Sequence, residues 1–137
     1  MKTKITVETV VNAPIEKVWR KWTAPEHIVN WCHASDDWHA PAAENDLCAD
    51  GVFKTTMAAK DGSVSFDFEG RYTLVTPFEK ISYILGDGRT VDIDFQKQEG
   101  AIKIKETFET EEMNSIELQR GGWQAILDNF KKYVEEK

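Results

Sequence analysis

The chain has 137 residues, enough for one domain spanning 1–137 with a real core, and a formal net charge of −7. Apolar residues at 41% and charged residues at 30% exclude a disordered or collagenous chain, and the acidic balance argues against a nucleic-acid or anionic-membrane partner. The longest run without Asp, Glu, Lys or Arg is nine residues, 27–35, too short for a membrane span.

The first segment alternates: Ile5, Val7, Thr9 and Val11 share one face, with Lys4, Thr6 and Glu8 on the other, which predicts a half-buried strand. The period then lengthens. Ile15, Val18, Trp19 and Trp22 follow i, i+3, i+4, i+7 behind Pro14, as the buried stripe of a short helix does. Thr23-Ala24-Pro25-Glu26 has capping-box spacing and predicts a second short helix carrying Ile28 and Trp31. Patterning is weak from Cys32 to Asp50, apart from a possible strand at 43–48.

A long β section follows. Phe53, Thr55, Met57 and Ala59 alternate up to Asp61-Gly62, a strong hairpin signal. Phe66, Phe68, Tyr72 and Leu74 continue the inward set, with Gly70 predicting a bulge or sharp curvature. Ile81, Tyr83 and Leu85 form the next strand, then Val91, Ile93 and Phe95, then Ile102, Ile104, Glu106 and Phe108. The short turns between them predict an antiparallel meander. Ile116, Trp123, Ile126, Leu127, Phe130, Tyr133 and Val134 mark a closing helix about five turns long, with Asn114 and Glu117 placed to cap its start. Gly121-Gly122 inside it should cost about 1 kcal/mol each relative to Ala. Either the first turn kinks or frays, or a neighbouring backbone or ligand comes close.

A strand, two short helices, a curved antiparallel meander of about seven strands and one long helix is the element order of the α+β helix-grip fold. Ala13-Pro14-Ile15-Glu16-Lys17-Val18-Trp19, Thr23-Ala24-Pro25-Glu26 through Trp31, and Gly122-Trp123-Gln124-Ala125-Ile126-Leu127-Asp128-Asn129-Phe130 carry the match further. They resemble the START-like superfamily that includes birch-pollen allergens, in its bacterial branch related to the C-terminal domain of the heat-shock-chaperone ATPase activator. Where that branch has a Gly-Gly pair, this chain has Asp50-Gly51, and Asp tolerates a left-handed backbone better than most residues. The resemblance implies a cavity between sheet and closing helix. The expected lining is Trp31, Phe53, Met57, Phe66, Phe68, Tyr72, Tyr83, Phe95, Glu106, Trp123 and Phe130.

Read from the residues alone, that aromatic face makes either a packed core or a pocket wall. Thr9, Thr55, Tyr72 and Tyr83 place hydroxyls on it. Glu106 is the exception, a carboxylate between Ile104 and Phe108 where alternation demands an apolar group. It is paired with a cation, turned outward by a bulge, or a pocket-facing acid of raised pKa, because an unpaired buried carboxylate is costly. Cys32, His33, Asp36, Asp37, His39 and Cys48 form a second cluster, whose spacing matches no standard zinc site and names no orienter for a Cys–His nucleophile. A solvated acidic loop is the expectation, with no metal. Trp31 and Trp38 flank this loop, either rimming a pocket mouth or pinning the loop down. Phosphate loops and nucleophile elbows are absent from the sequence, so no cofactor is expected and no catalytic residue can be named.

Three function classes follow. The first is binding of a small apolar or amphipathic molecule in the cavity. The second is a chaperone-activator-like protein interaction through the acidic outer surface, and the third a cyclase or hydrolase using Glu106 or Tyr83 as acid–base group. Two Cys residues and no apolar leader after Met1-Lys2 make the reducing cytoplasm the expected location.

Overall fold

Alternation becomes sheet register in the computed structural model, which describes residues 3–136. The elements are β1 (Lys4–Val11), α1 (Ile15–Thr23), α2 (Pro25–Trp31), β2 (Trp38–Asn45), β3 (Val52–Ala59), β4 (Ser65–Thr76), β5 (Lys80–Leu85), β6 (Thr90–Gln98), β7 (Ala101–Glu109) and α3 (Ile116–Glu136). All seven strands join one antiparallel sheet in the order β1-β7-β6-β5-β4-β3-β2. It is the α+β helix-grip arrangement, a curled sheet closed by three helices.

The inward face is built in rows. Val7, Glu106, Ile93 and Ile81 are successive cross-strand partners, as are Ile5, Phe108, Val91, Tyr83 and Tyr72. Val11, Val18, Ile104, Phe130 and Val134 are fully buried and mark where sheet, α1 and α3 meet. α3 runs along the edge strand β1, and its side chains satisfy strand carbonyls that would otherwise invite another chain. Gln124 donates to the Glu8 carbonyl at 3.0 Å and Lys131 to the Val10 carbonyl at 2.6 Å. At the opposite edge, β2 carries Pro41 within a bulge between His39 and Ala42, a place where a missing N–H costs no ladder bond.

Several local expectations change. Thr23 is not a cap: it closes α1, and its hydroxyl donates back to the Trp19 carbonyl at 2.8 Å. Ala24 precedes α2 instead, with Pro25 as first helical residue. The start of α3 is held by Ser115, whose Oγ accepts the Leu118 N–H at 3.0 Å, rather than by Asn114 or Glu117. The strand expected at 43–48 begins earlier, at Trp38. Ile116 opens α3 but is 45% exposed, so the buried stripe starts one turn later.

Curvature in β4 comes from two neighbouring features. A Cβ on Gly70 would lie 2.6 Å from the Ile84 carbonyl and 3.0 Å from the Phe53 ring, so only Gly lets that ring settle on the strand. The bulge itself lies further on, where the register shifts between Tyr72 and Leu74. The extra residue flips the faces, so Leu74 points outward and Val75 takes the inward place opposite Ile81. Asp50 adopts φ 69°, as the Asp50-Gly51 reading requires, and pairs with Arg71 at 3.0 Å. A Cβ on Gly51 would fall 2.1 Å from the Asp46 carbonyl, so the second glycine of that turn is obligatory.

Candidate ligand-binding site

The helices do not fill the concave face evenly. α1 sends Trp19 and Trp22 down onto the sheet, where Phe95 meets their rings edge-on at 5.4 and 5.7 Å. Phe130 of α3 packs between Trp22 and Trp31, 4.8 Å from each. Beyond these rings the concave face stays open. A cavity of about 520 Å³ lies there, between β3–β7, the end of α2 and the first half of α3.

Its wall includes Trp31, Phe53, Met57, Phe66, Phe68, Tyr72, Tyr83, Glu106 and Trp123. Phe95 and Phe130 do not line it. Alternation and helical period placed them on the inward faces, but the tryptophans of α1 and α2 cover them. Trp31 is only 5% exposed and forms part of the deep wall, its indole N–H donating to the Lys21 carbonyl at 2.9 Å, so it is no rim residue. Trp38 does stand near the mouth, 5.9 Å from Phe66, which is half exposed. Trp123 is fixed by stacking on Phe108 at 4.1 Å with 7° between planes, and it meets Phe68 edge-on at 5.9 Å.

Two other lining residues, Gln119 and Arg89, carried no sequence signal. Gln119 is buried and ties down the loop before α3: its amide donates to the Asn114 carbonyl at 2.8 Å and accepts the Glu111 N–H at 2.9 Å. Arg89 reaches the wall from the β5–β6 turn while paired with Asp87 at 2.7 Å. Gly122 also borders the cavity, and nothing lies within 4 Å of a Cβ built at Gly121 or Gly122. No backbone presses on that pair, and the helix runs through it without a break. Thr9 lies outside the cavity lining, while Thr55 lies within it.

Glu106 is 6% exposed and lines the cavity. Its register partners, Val7 and Ile93, are both apolar. Among the described residues its carboxyl has neither a hydrogen bond nor an ion pair, and burial pushes its pKa up from 4.5 to about 8. Two further acids face it. Burial, reinforced by Glu106, pushes the Cys32 thiol up to about 12 and drives the Tyr83 phenol well above its ordinary range. At pH 7 all three carry their protons. Burial raises the Tyr72 phenol too, but its hydroxyl has a partner, donating to Asn45 Oδ1 at 2.5 Å.

The Cys–His cluster does not assemble. Cys32 faces the cavity near Glu106, whereas Cys48 is exposed in the turn before β3. Among the described residues no three of His, Cys, Asp and Glu converge in metal-binding geometry. Dialysis against a strong chelator is accordingly expected to leave the melting temperature unchanged. A drop of several degrees that zinc reverses would contradict this.

The fold is shared with proteins of solved structure. The family model for activator of Hsp90 ATPase homolog 1-like proteins matches residues 12–135. The chain belongs to that family. Its fold closely follows the solution structure of an AHSA1-like protein from Aeromonas hydrophila, at 43% identity and a TM-score of 0.92, over 98% of this chain and 93% of that one. Chr148 from Cytophaga hutchinsonii is 56% identical, with a TM-score of 0.85 over 97% of this chain and 92% of its own. Protein CV1439 from Chromobacterium violaceum shares the fold at 22% identity and a TM-score of 0.86, over 96% of both chains. Among curated proteins none matches the chain. No helix of the described residues is long and apolar enough to cross a membrane.

Proposed function

We propose that this AHSA1-like protein binds a small apolar or amphipathic molecule between α3 and the sheet. The observation that carries the reading is the 520 Å³ cavity walled by aromatic rings, a size suited to a small organic ligand. Rings held in mutual contact, such as Trp123 on Phe108, offer a wall that needs little ordering when a ligand arrives. The expected setting is the reducing cytoplasm, where Cys32 and Cys48 remain free thiols.

The test is a fluorescence titration with N-phenyl-1-naphthylamine, an uncharged dye that brightens in apolar surroundings. One dye per protein is expected, and Trp123→Ala should weaken binding roughly tenfold by removing the stacked wall. No saturable binding by the folded wild-type protein would refute the reading.

The family name supports a second reading, a chaperone-activator-like interaction. The surface on offer is the segment between Trp22 and Phe53, with six acidic residues and no Lys or Arg. Capture of an Hsp90-type ATPase, weakened by salt and by neutralising Asp36 and Asp37, would favour it over the cavity.

A further inference from the structure

The cavity's polar groups form a biased set. Glu106 sits at its inner wall without a counter-ion, and Glu44 and Glu111 border it nearer solvent. Among the described residues the single cation on the wall, Arg89, already holds Asp87 at 2.7 Å. The cavity wall is rich in aromatic rings, and ring faces attract organic cations as well as apolar groups. From this geometry we infer that the occupant is an amphipathic organic cation, an apolar body bearing an amine whose ammonium pairs with the Glu106 carboxylate.

The inference rests on the cavity being a ligand site, and it names the ligand's charge. Among the described residues of the wall an anionic occupant would meet three carboxyl groups and no unpaired cation. A neutral hydrocarbon would leave the acid of Glu106 and the hydroxyls of Tyr83 and Thr55 without partners, since none has one among the described residues. An ammonium turns the unpaired acid into a charge-assisted pair in a dry setting.

Pairing must move a proton. The groups facing Glu106 are Tyr83 from β5 and Cys32 from the end of α2, both held neutral by burial. Val7 of β1, Ile93 of β6, and Trp123 and Ile126 of α3 bring no titratable group. In the empty protein at pH 7 Glu106 is mostly protonated. When an ammonium enters, the carboxyl ionises against it and its proton passes to solvent, so charge balances: cation in, proton out.

Calorimetric titration at pH 7 with octylamine, 1-octanol and octanoate tests this, run in two buffers of different ionisation enthalpy. Octylamine should bind roughly tenfold more tightly than 1-octanol, with octanoate weakest, and release close to one proton per molecule. Glu106→Gln should remove both the preference for amine over alcohol and the proton release. Should that variant fail to fold, the proton count of the wild-type protein decides alone. Equal affinity for amine and alcohol, or amine binding without proton release, would overturn the cation assignment and leave the cavity reading intact. Failure of all three probes and of the uncharged dye would remove the cavity reading itself.

Discussion

Glu106→Gln will stabilise the protein at pH 8.5 and leave its stability almost unchanged at pH 4.5. The sign follows from the raised pKa. Between the ordinary value of 4.5 and the folded value of about 8, the unfolded chain has already lost the Glu106 proton while the native protein keeps it. The native state therefore binds more protons, and its stability falls as pH rises through that window. Each unit of difference corresponds to about 1.4 kcal/mol, so a gain on the order of 3 kcal/mol for the Gln variant is expected above pH 8, after allowing for relaxation around the charge. Below pH 4.5 the carboxylic acid and the amide are close in shape and both neutral. Cys32 and Tyr83 stay protonated throughout this range. Urea denaturation of both proteins at half-unit pH steps measures the difference directly. A difference that does not change with pH, or a variant destabilised at pH 8.5, would mean that an unseen cation compensates Glu106.

Phe130→Ala should be among the most damaging single substitutions, costing about 3–5 kcal/mol. The ring is fully buried and touches Trp22 and Trp31 edge-on, and it joins all three helices at one point. These aromatic partners cannot collapse into the space without giving up their own contacts, so the void persists. Because Phe130 supports the cavity wall without lining it, dye affinity in the fraction that stays folded should change less than in Trp123→Ala. Denaturant midpoints and dye titrations on the same two variants separate the roles. A Phe130→Ala loss below about 1 kcal/mol would show that the helices are not clasped there.

Alternation and period made most of the architecture legible. Ile102, Ile104 and Phe108 specify one buried face so strongly that the misfit of Glu106 could be seen from the sequence, and register then fixes it inward. What escaped reading depends on neighbours rather than on pattern. The face of Leu74 is reversed by one extra residue before it, a backbone event that its own side chain does not encode. Thr23 has the spacing of a cap, yet its hydroxyl finds a carbonyl in the helix it ends. Phe95 and Phe130 point inward as alternation and period require, but which inward rings border a void is decided by where the α1 tryptophans land. Gln119 and Arg89 sit in segments whose path follows only from the assembled fold. A period tells which way a side chain faces; it does not tell what meets it.

The five tryptophans offer the most direct test of the central claim that the cavity is the binding site. Trp22, Trp31, Trp38 and Trp123 border it, whereas Trp19 lies outside its lining and packs against Phe78 and Phe95. Indole N–H resonances followed by NMR during titration with N-phenyl-1-naphthylamine should shift for the first four and stay still for Trp19. Stationary signals from the four bordering indoles, or a shift of Trp19 as large as theirs, would contradict the account.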